Sequence, residues 1–425
     1  MKRSGSTETR KIAVIGSGIS GLTAAYVLAK RHEVTVFEAG PQIGGHTATK
    51  TVEVAGSTYQ VDTGFIVFND RTYPNFIRLM SHLGVPSQVT DMGFSVTQPD
   101  HGHEYSGSGL SGLFAQRRNW FRPAHWKMLK DIMRFNRDCT RAYEQNRIDP
   151  NQTLGEYLDA QGYSDFFQRH YILPMVSAIW SSGLSGAAQM PLLFFIRFFH
   201  NHGLLTVTNQ PQWYTVKGGS HSYLKPITRE FADRVHTDCP VTRVRRTSTG
   251  ATVLTERFGE QTFDEVIFAC HSDQALKLLA DPTAREHDIL SAIPYQDNDV
   301  VMHTDARILP RARKAWASWN YRLDPAREDE AVLTYNMNIL QRLKCPETIC
   351  VSVNASQWLD DDHVLGRYRY SHPVFNRQSI AAQDRWSDIS GVNHTHYCGA
   401  YWRNGFHEDG VVSGLRVAQC LGEAF

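Results

Sequence analysis

Long hydrophobic runs are missing from these 425 residues. No stretch reaches the roughly 18 uncharged apolar residues of a membrane-spanning helix, so none is expected. An excess of one charge is also missing. A net charge of +1 gives no general attraction to nucleic acid or another polyanion. Cysteine is scarce and odd in number, seven in all. The closest pair, Cys345 and Cys350, has no partner pair at zinc-ligand spacing, so no metal centre is expected. Reduced thiols in a cytoplasmic protein are the expectation. Residues 1–11 are polar and read as neither signal peptide nor anchor. What remains is ordinary globular material, with 41% hydrophobic and 20% charged residues. The length suggests two domains, interleaved along the chain.

The most informative stretch opens the chain. An apolar run at residues 12–15 is followed by Gly16-Ser17-Gly18-Ile19-Ser20-Gly21, a helix-like segment to Arg31, and a second apolar run ending at Glu38. The first run suits a strand covered on both faces of a parallel sheet. Gly16 allows the tight turn, Gly18 lets a backbone approach a pyrophosphate, and Gly21 lets the helix pack against the strand. The helix N-terminus offers free N–H groups and a partial positive charge to phosphates. Glu38 stands where a carboxylate accepts hydrogen bonds from a ribose. A second GxGxxG, residues 107–112, lacks this context. Residues 100–105 before it read as no buried strand and no strand ending in an acid follows, so a loop is expected there.

After five residues that follow Glu38, beginning with Ala39, comes Gly44-Gly45. This Glu-x5-Gly-Gly pattern resembles the extended fingerprint of the FAD-dependent amine oxidase and phytoene desaturase superfamily. The resemblance implies FAD as cofactor, with the second glycine pair beside the pyrophosphate and ribityl chain. His46 stands where the family usually has arginine. The resemblance continues at Asp62-Thr63-Gly64-Phe65-Ile66, a segment that passes the flavin in the family; Asp62 reads equally well as a turn residue. Val241, in Val241-Thr242-Arg243-Val244, matches a family valine that meets the adenine. Tyr397-Cys398-Gly399-Ala400 matches a strand end, with Ala400 in place of the acid that usually meets the ribityl hydroxyl. The closing helix, with His407, Glu408, Asp409 and Val411 at its start, is implied to point its N-terminus at the flavin. Glu408 or Asp409 can replace the missing acid or simply cap that helix.

Between these landmarks the chain reads as alternating elements. Residues 52–68 form a hairpin, and residues 72–84 a helix with Gly84 as its stop. Residues 117–147 carry nine Lys or Arg against Asp131, Asp138 and Glu144, with Trp120, Phe121 and Trp126 interleaved. Peripheral contact with an anionic inner membrane face and a solvated helix face both fit this stretch. Residues 153–208 are helical and very apolar, and are either core or the lining of a tunnel for a long apolar substrate. Residues 213–220 lead back toward the nucleotide domain and a helix at 221–233. Strands are expected at 235–246, 251–256 and 263–270, then at 300–305, 332–338 and 349–354. Family amine oxidases hold a water over the flavin with a strand lysine; no lysine matches here. His303 and Tyr321 are the weak catalytic candidates, and His303 reads as well as a packed strand histidine.

Stretches around Ala317-Ser318-Trp319-Asn320-Tyr321, His372-Pro373-Val374-Phe375 and residues 405–410 resemble a bacterial group of NAD/FAD-binding amine-oxidase-like proteins. That group is often associated with cyclopropane-fatty-acid-synthase-like methyltransferases. The resemblance implies an α/β fold with a discontinuous Rossmann-like FAD domain (1–70, 210–280, 376–425) and an interleaved α+β substrate domain (71–209, 281–375). It implies an oxidoreductase that desaturates or dehydrogenates an apolar substrate, a fatty-acyl or lipid chain, with a lipid-modifying enzyme as a possible partner. The alternatives are a flavin amine oxidase with Trp319, Tyr321 and Tyr401 as an aromatic cage, a flavin-binding partner protein, and a flavin isomerase without net redox change. His372 lies in a region where some relatives tether flavin.

Overall fold

A computed structural model describes residues 8–100, 102–206 and 210–425. The polar N-terminal residues 1–7, His101 and the end of the apolar stretch at 207–208 lie outside the described residues.

The opening apolar run is strand Lys11–Ile15, at the centre of a five-stranded parallel sheet. Its neighbours are Glu33–Phe37 and Glu265–Phe268, with Val235–His236 and Thr395–Tyr397 at the edges. Residues 12–14 are fully buried because helices cover both faces. Helix Ile19–Leu28 lies against the closing helix His407–Cys420; a Cβ on Gly414 would sit 2.4 Å from the Ser20 carbonyl oxygen. An antiparallel meander, Val241–Arg246, Ala251–Thr255 and Gly259–Phe263, extends from this sheet.

The second large sheet has seven strands, in the order Val364–Pro373, Tyr295–His303, Cys350–Val353, Leu333–Asn336, Trp319–Arg322, Phe94–Gln98 and His103–Ser106. The pairing of 319–322 with 94–98 is parallel and the rest is antiparallel. Helices between Leu154 and Asn201 cover one face and bury their crowded aromatics, among them Phe194, Phe195, Phe198 and Phe199. Two large apolar cores result, one around each sheet, with a small third cluster around Ile308 and Leu309; Phe406 packs against both large cores.

Four expectations need correction. Residues 235–246 are not one strand: Asp238, with φ +48°, and Pro240 break it into an edge strand and a meander strand. Residues 221–233 are three short helical pieces, with Pro226 inside the middle one. The stretch before the second GxGxxG does contain a buried strand, His103–Ser106, and residues Gly109–Leu113 form a short helix rather than a loop. That strand is antiparallel and at a sheet edge, so the segment still builds no nucleotide turn.

Asp62 is neither a turn residue nor solvent-exposed. It ends hairpin strand Ser57–Asp62 and is fully buried. Its carboxylate accepts from Thr49 Oγ1 at 2.5 Å, Ser220 N at 2.9 Å, Ser220 Oγ at 2.8 Å and Gln341 Nε2 at 3.1 Å. Burial pushes its carboxyl up to about 6 although these donors pull the other way. One side chain thus ties the hairpin, the chain entering residues 220–228 and the seven-stranded half together. Asp62→Ala leaves four buried donors without an acceptor. A loss of about 3 kcal/mol is expected in urea unfolding, with Asp62→Asn costing less because one oxygen remains.

Candidate active site

Gly16 ends the first strand with φ +105°, and a Cβ there would lie 2.7 Å from the Ala269 carbonyl oxygen. Only glycine fits such a turn. Ser17 is buried and donates both its N–H (3.0 Å) and its hydroxyl (2.5 Å) to Glu38 Oε2. Glu38 Oε1 accepts the N–H of Gly40 at 2.8 Å, beside exposed Ala39. The Gly44 N–H in turn reaches Ser17 Oγ at 3.1 Å, and Gly18 bridges to Gly44 in parallel. The two glycine motifs and the acid therefore form one interlocked unit. Cys239 donates its N–H to the Glu38 carbonyl at 2.9 Å, which brings Val241 to the same end.

This unit surrounds open space. No atom lies within 4 Å of a Cβ built on Gly18, and one built on Gly45 meets only Gly18. Helix Ile19–Leu28 begins at Gly18 with no side-chain cap and no acid in its first turn. Its free N–H groups are therefore left for an anion. These features fit a pyrophosphate, and Glu38 fits the ribose beyond it.

The second half of the site starts at His46. Its carbonyl accepts the Phe65 N–H at 2.7 Å, and a Cβ on Gly64 would lie 2.2 Å from that oxygen. Ile66 turns into the substrate-side core. The His46 ring faces Tyr370 and His372, each with centroids at 5.3 Å, and His271 at 6.5 Å. Its Nε2 is buried with no partner. Burial, and then the neighbouring imidazoles, push His46 down to about 3; burial pushes His372 down to about 4. Both are neutral at pH 7. His407 stacks on Phe65 at 3.6 Å and shares a 2.8 Å hydrogen bond with Tyr223. Gly399 donates its N–H to Ser413 Oγ at 3.0 Å, and Ala400 lies beside Gly410. Gly410 meets Ile19 so closely that a Cβ would be 2.6 Å from that side chain, and Val411 is buried behind it. Opening turn and closing helix are thus in contact.

Several expected site residues are not brought here. Glu408 accepts from Asn75 N (3.1 Å), Asn75 Nδ2 (2.7 Å) and Phe76 N (2.8 Å), so it caps helix Pro74–Leu83 instead of replacing the missing acid. Asp409 accepts the Phe406 N–H at 3.0 Å and caps its own helix. His303 points to the far face of its strand, where it bonds Ser352 Oγ at 2.8 Å and accepts the Asp305 N–H at 3.1 Å. Tyr321 is buried against Ser177 Oγ at 2.9 Å. The three-residue cage does not assemble: Trp319 packs on Tyr335, while Tyr401 lies in the other core.

The cavity next to this half holds about 100 Å³. The seven-stranded sheet contributes Val300, Val353, Tyr335 and Tyr370; the facing wall includes Trp180 and Phe406. Ser181, at its edge, has φ +53°, a left-handed conformation uncommon outside glycine. Sequence reasoning missed Tyr370. The signal was present, since Tyr368, Tyr370 and His372 alternate with Arg367, Arg369 and Ser371, a period of two that sets the aromatics on one face.

Residues 19–304, about two-thirds of the chain, match the family described as flavin containing amine oxidoreductase. The chain belongs to that family. Its cofactor is FAD, in accord with the open space on the outer side of Gly18 and the unpartnered His46 Nε2. A carotenoid phi-ring synthase of Streptomyces griseus is 26% identical over 291 residues, covering 63% of this chain and 54% of that protein. The chain spans about half or less of the length of the curated relatives it matches. Among solved structures, a fatty acid isomerase from P. acnes superposes with a TM-score of 0.70 at 14% identity, over 97% of this chain and 98% of the other. Putrescine oxidase bound to putrescine gives 0.69 at 15% identity, with coverage of 97% and 98%. At these identities the structural likeness concerns the fold alone.

Proposed function

We propose that this protein is an FAD-dependent oxidoreductase acting on an uncharged, apolar substrate, a fatty-acyl or lipid chain. One observation carries the reading: no Asp, Glu, Lys or Arg lines the cavity. An ammonium substrate moved from water into such a wall without a counter-ion loses several kcal/mol of hydration. An alkyl or alkenyl chain gains there, at about 25 cal/mol per Å² of apolar surface covered. The missing lysine and the unassembled cage point the same way. The synthase relative and the isomerase neighbour, by their names, act on apolar molecules, which supports the reading without extending their reactions to this chain.

FAD, when bound, supplies an acceptor for a hydride or its equivalent. The chain's own residues position and exclude. Tyr370 is held by a 2.8 Å hydrogen bond to Thr63, so one aromatic wall keeps its orientation. Trp180 donates its Nε1–H to the Asn404 carbonyl at 3.1 Å and fixes the opposite wall. Together with Phe406 they keep water from the reacting carbon. The His46 ring is held neutral by burial and leaves Nε2 free for a hydrogen bond to the cofactor or substrate.

Anaerobic mixing of the holoprotein with unsaturated or methylated acyl lipids tests the proposal. Lasting bleaching of the visible flavin band is expected. Product without bleaching would mean isomerisation, and bleaching by a primary amine but by no lipid would overturn the substrate class.

A further inference from the structure

We infer that residues 110–133 form a docking surface for an anionic phospholipid bilayer, through which the protein binds a membrane face without crossing it. The inference goes beyond the proposed reaction and is independent of it.

Among the described residues, large hydrophobic side chains are exposed at eight positions, and five of them fall in this one stretch. Phe121 is 88% exposed, Leu110 73%, Met133 56%, Trp120 50% and Trp126 47%. The other three, Val89, Phe258 and Val392, are scattered. Isolated exposed apolar groups are ordinary, but a cluster rimmed by charge marks an interaction surface.

The cluster is preformed. Trp120 stacks on Phe114 with centroids at 3.8 Å, and the Trp126 Nε1–H donates to the Trp120 carbonyl at 3.0 Å. These contacts hold the short helix Arg117–Phe121 against helix Pro123–Glu144, with Phe121 at the outermost point of the turn between them. Helix Pro123–Glu144 buries one face, with Met128, Ile132, Phe135 and Cys139 on it, and the exposed cluster lies off that face. The short helix Gly109–Leu113 supplies Leu110, the turn before the long helix supplies Trp120 and Phe121, and the long helix adds Trp126 and Met133, two turns apart on one face.

Charge selects the occupant. Between Leu110 and Lys130 there are five basic residues, Arg117, Arg118, Arg122, Lys127 and Lys130, and no acid. None of the five pairs with a carboxylate among the described residues. The next acid in sequence, Asp131, is buried on Ser164, Asp138 is paired with Arg137, and the buried Glu104 carboxylate accepts the N–H groups of Arg311 and Ala312. With a whole-chain charge of only +1, this basicity is local. Tryptophan and phenylalanine flanked by unpaired lysine and arginine suit the headgroup region of an anionic leaflet, where rings enter the acyl boundary and cations meet phosphate. A water-facing protein partner would leave the cations without acids unless it were itself strongly acidic. Among the described residues no helix is long and apolar enough to cross a membrane, so the contact is peripheral.

Sedimentation of the holoprotein with vesicles tests this. The protein should bind phosphatidylcholine vesicles containing about 30% phosphatidylglycerol, bind phosphatidylcholine alone at least tenfold more weakly, and come off as salt rises. Leu110→Ser with Phe121→Ser removes two freely exposed side chains and should lower partitioning about tenfold with an unchanged melting temperature. Lys127→Gln with Lys130→Gln should lower it by a similar factor. Val392→Ser, an exposed apolar side chain elsewhere, should change nothing. Equal binding by wild type and both double variants overturns the inference, as does no binding to the anionic vesicles. So does a wild type that dimerises in solution, loses the dimer on Phe121→Ser and ignores vesicles, because the face would then meet a second copy of the chain.

Discussion

Gly18→Val gives a protein that folds and stays colourless. A Cβ on Gly18 meets no atom within 4 Å, and the backbone there, φ −65° and ψ 174°, is extended and open to valine. The cost to the apoprotein is the poorer helix N-cap alone, about 1 kcal/mol. The space that valine fills is the open side of Gly18 at the helix N-terminus, where the backbone must approach the pyrophosphate. FAD binding should weaken at least about a hundredfold, some 2.7 kcal/mol or more. Gly16→Ala and Gly21→Ala should behave in the opposite way. Their Cβ atoms would lie 2.7 Å from the Ala269 carbonyl oxygen and 2.3 Å from the Gly16 carbonyl oxygen. Both should lower the melting temperature of the apoprotein before any cofactor is added. Thermal melts of the apoproteins and absorbance titrations with FAD separate the two groups. Wild-type affinity in Gly18→Val would remove the phosphate seat from this loop.

The contrast within one motif shows what a sequence can carry. Strand, turn, helix and Glu38 are local, and their spacing alone constrains them, so they were legible. The same holds for the hairpin, expected over 52–68 and found over 49–62, and for the helix stopped by Gly84, whose φ of +67° ends it. Long-range capping was not legible. Glu408 serves the N-terminus of a helix more than 300 residues earlier, and no spacing rule connects it to Asn75. Strand parity was legible, but its meaning was not. Val300 and His303 lie on opposite faces of one strand, and only the tertiary packing decides that the Val300 face borders the cavity. The buried role of Asp62 was hidden for the same reason, since its partners come from residues 49, 220 and 341.

Stability of the apoprotein should collapse between about pH 6.5 and 4. Six buried histidines carry the effect: His103, His125, His170, His202, His303 and His407. Burial lowers His125, His170, His202 and His303 to about 4, His407 to about 3 and His103 to about 2. His103, His125 and His170 form one cluster, with His103 Nε2 3.3 Å from His125 Nδ1 and a nitrogen on each ring left without a partner. In the unfolded chain each imidazole takes its proton near 6.5. Across the window the unfolded state therefore binds more protons, and stability falls as pH drops. Asp62 and Asp409 act in the opposite sense. Burial raises both to about 6, so below that pH the folded state takes up their protons first. Six groups against two leaves a net loss that, at about 1.4 kcal/mol per pH unit per proton, becomes comparable with the roughly 5–15 kcal/mol by which such domains are stable. His46 and His372 are left out of this count because their rings border the cofactor space and are partly exposed. Thermal melts of apoprotein from pH 8 to 4.5 provide the check. His202→Phe keeps the stack on Phe198, at 3.8 Å, and removes one titrating ring. It should flatten the slope by about one proton. A melting temperature that stays level to pH 5 would mean that water reaches these imidazoles in the folded state.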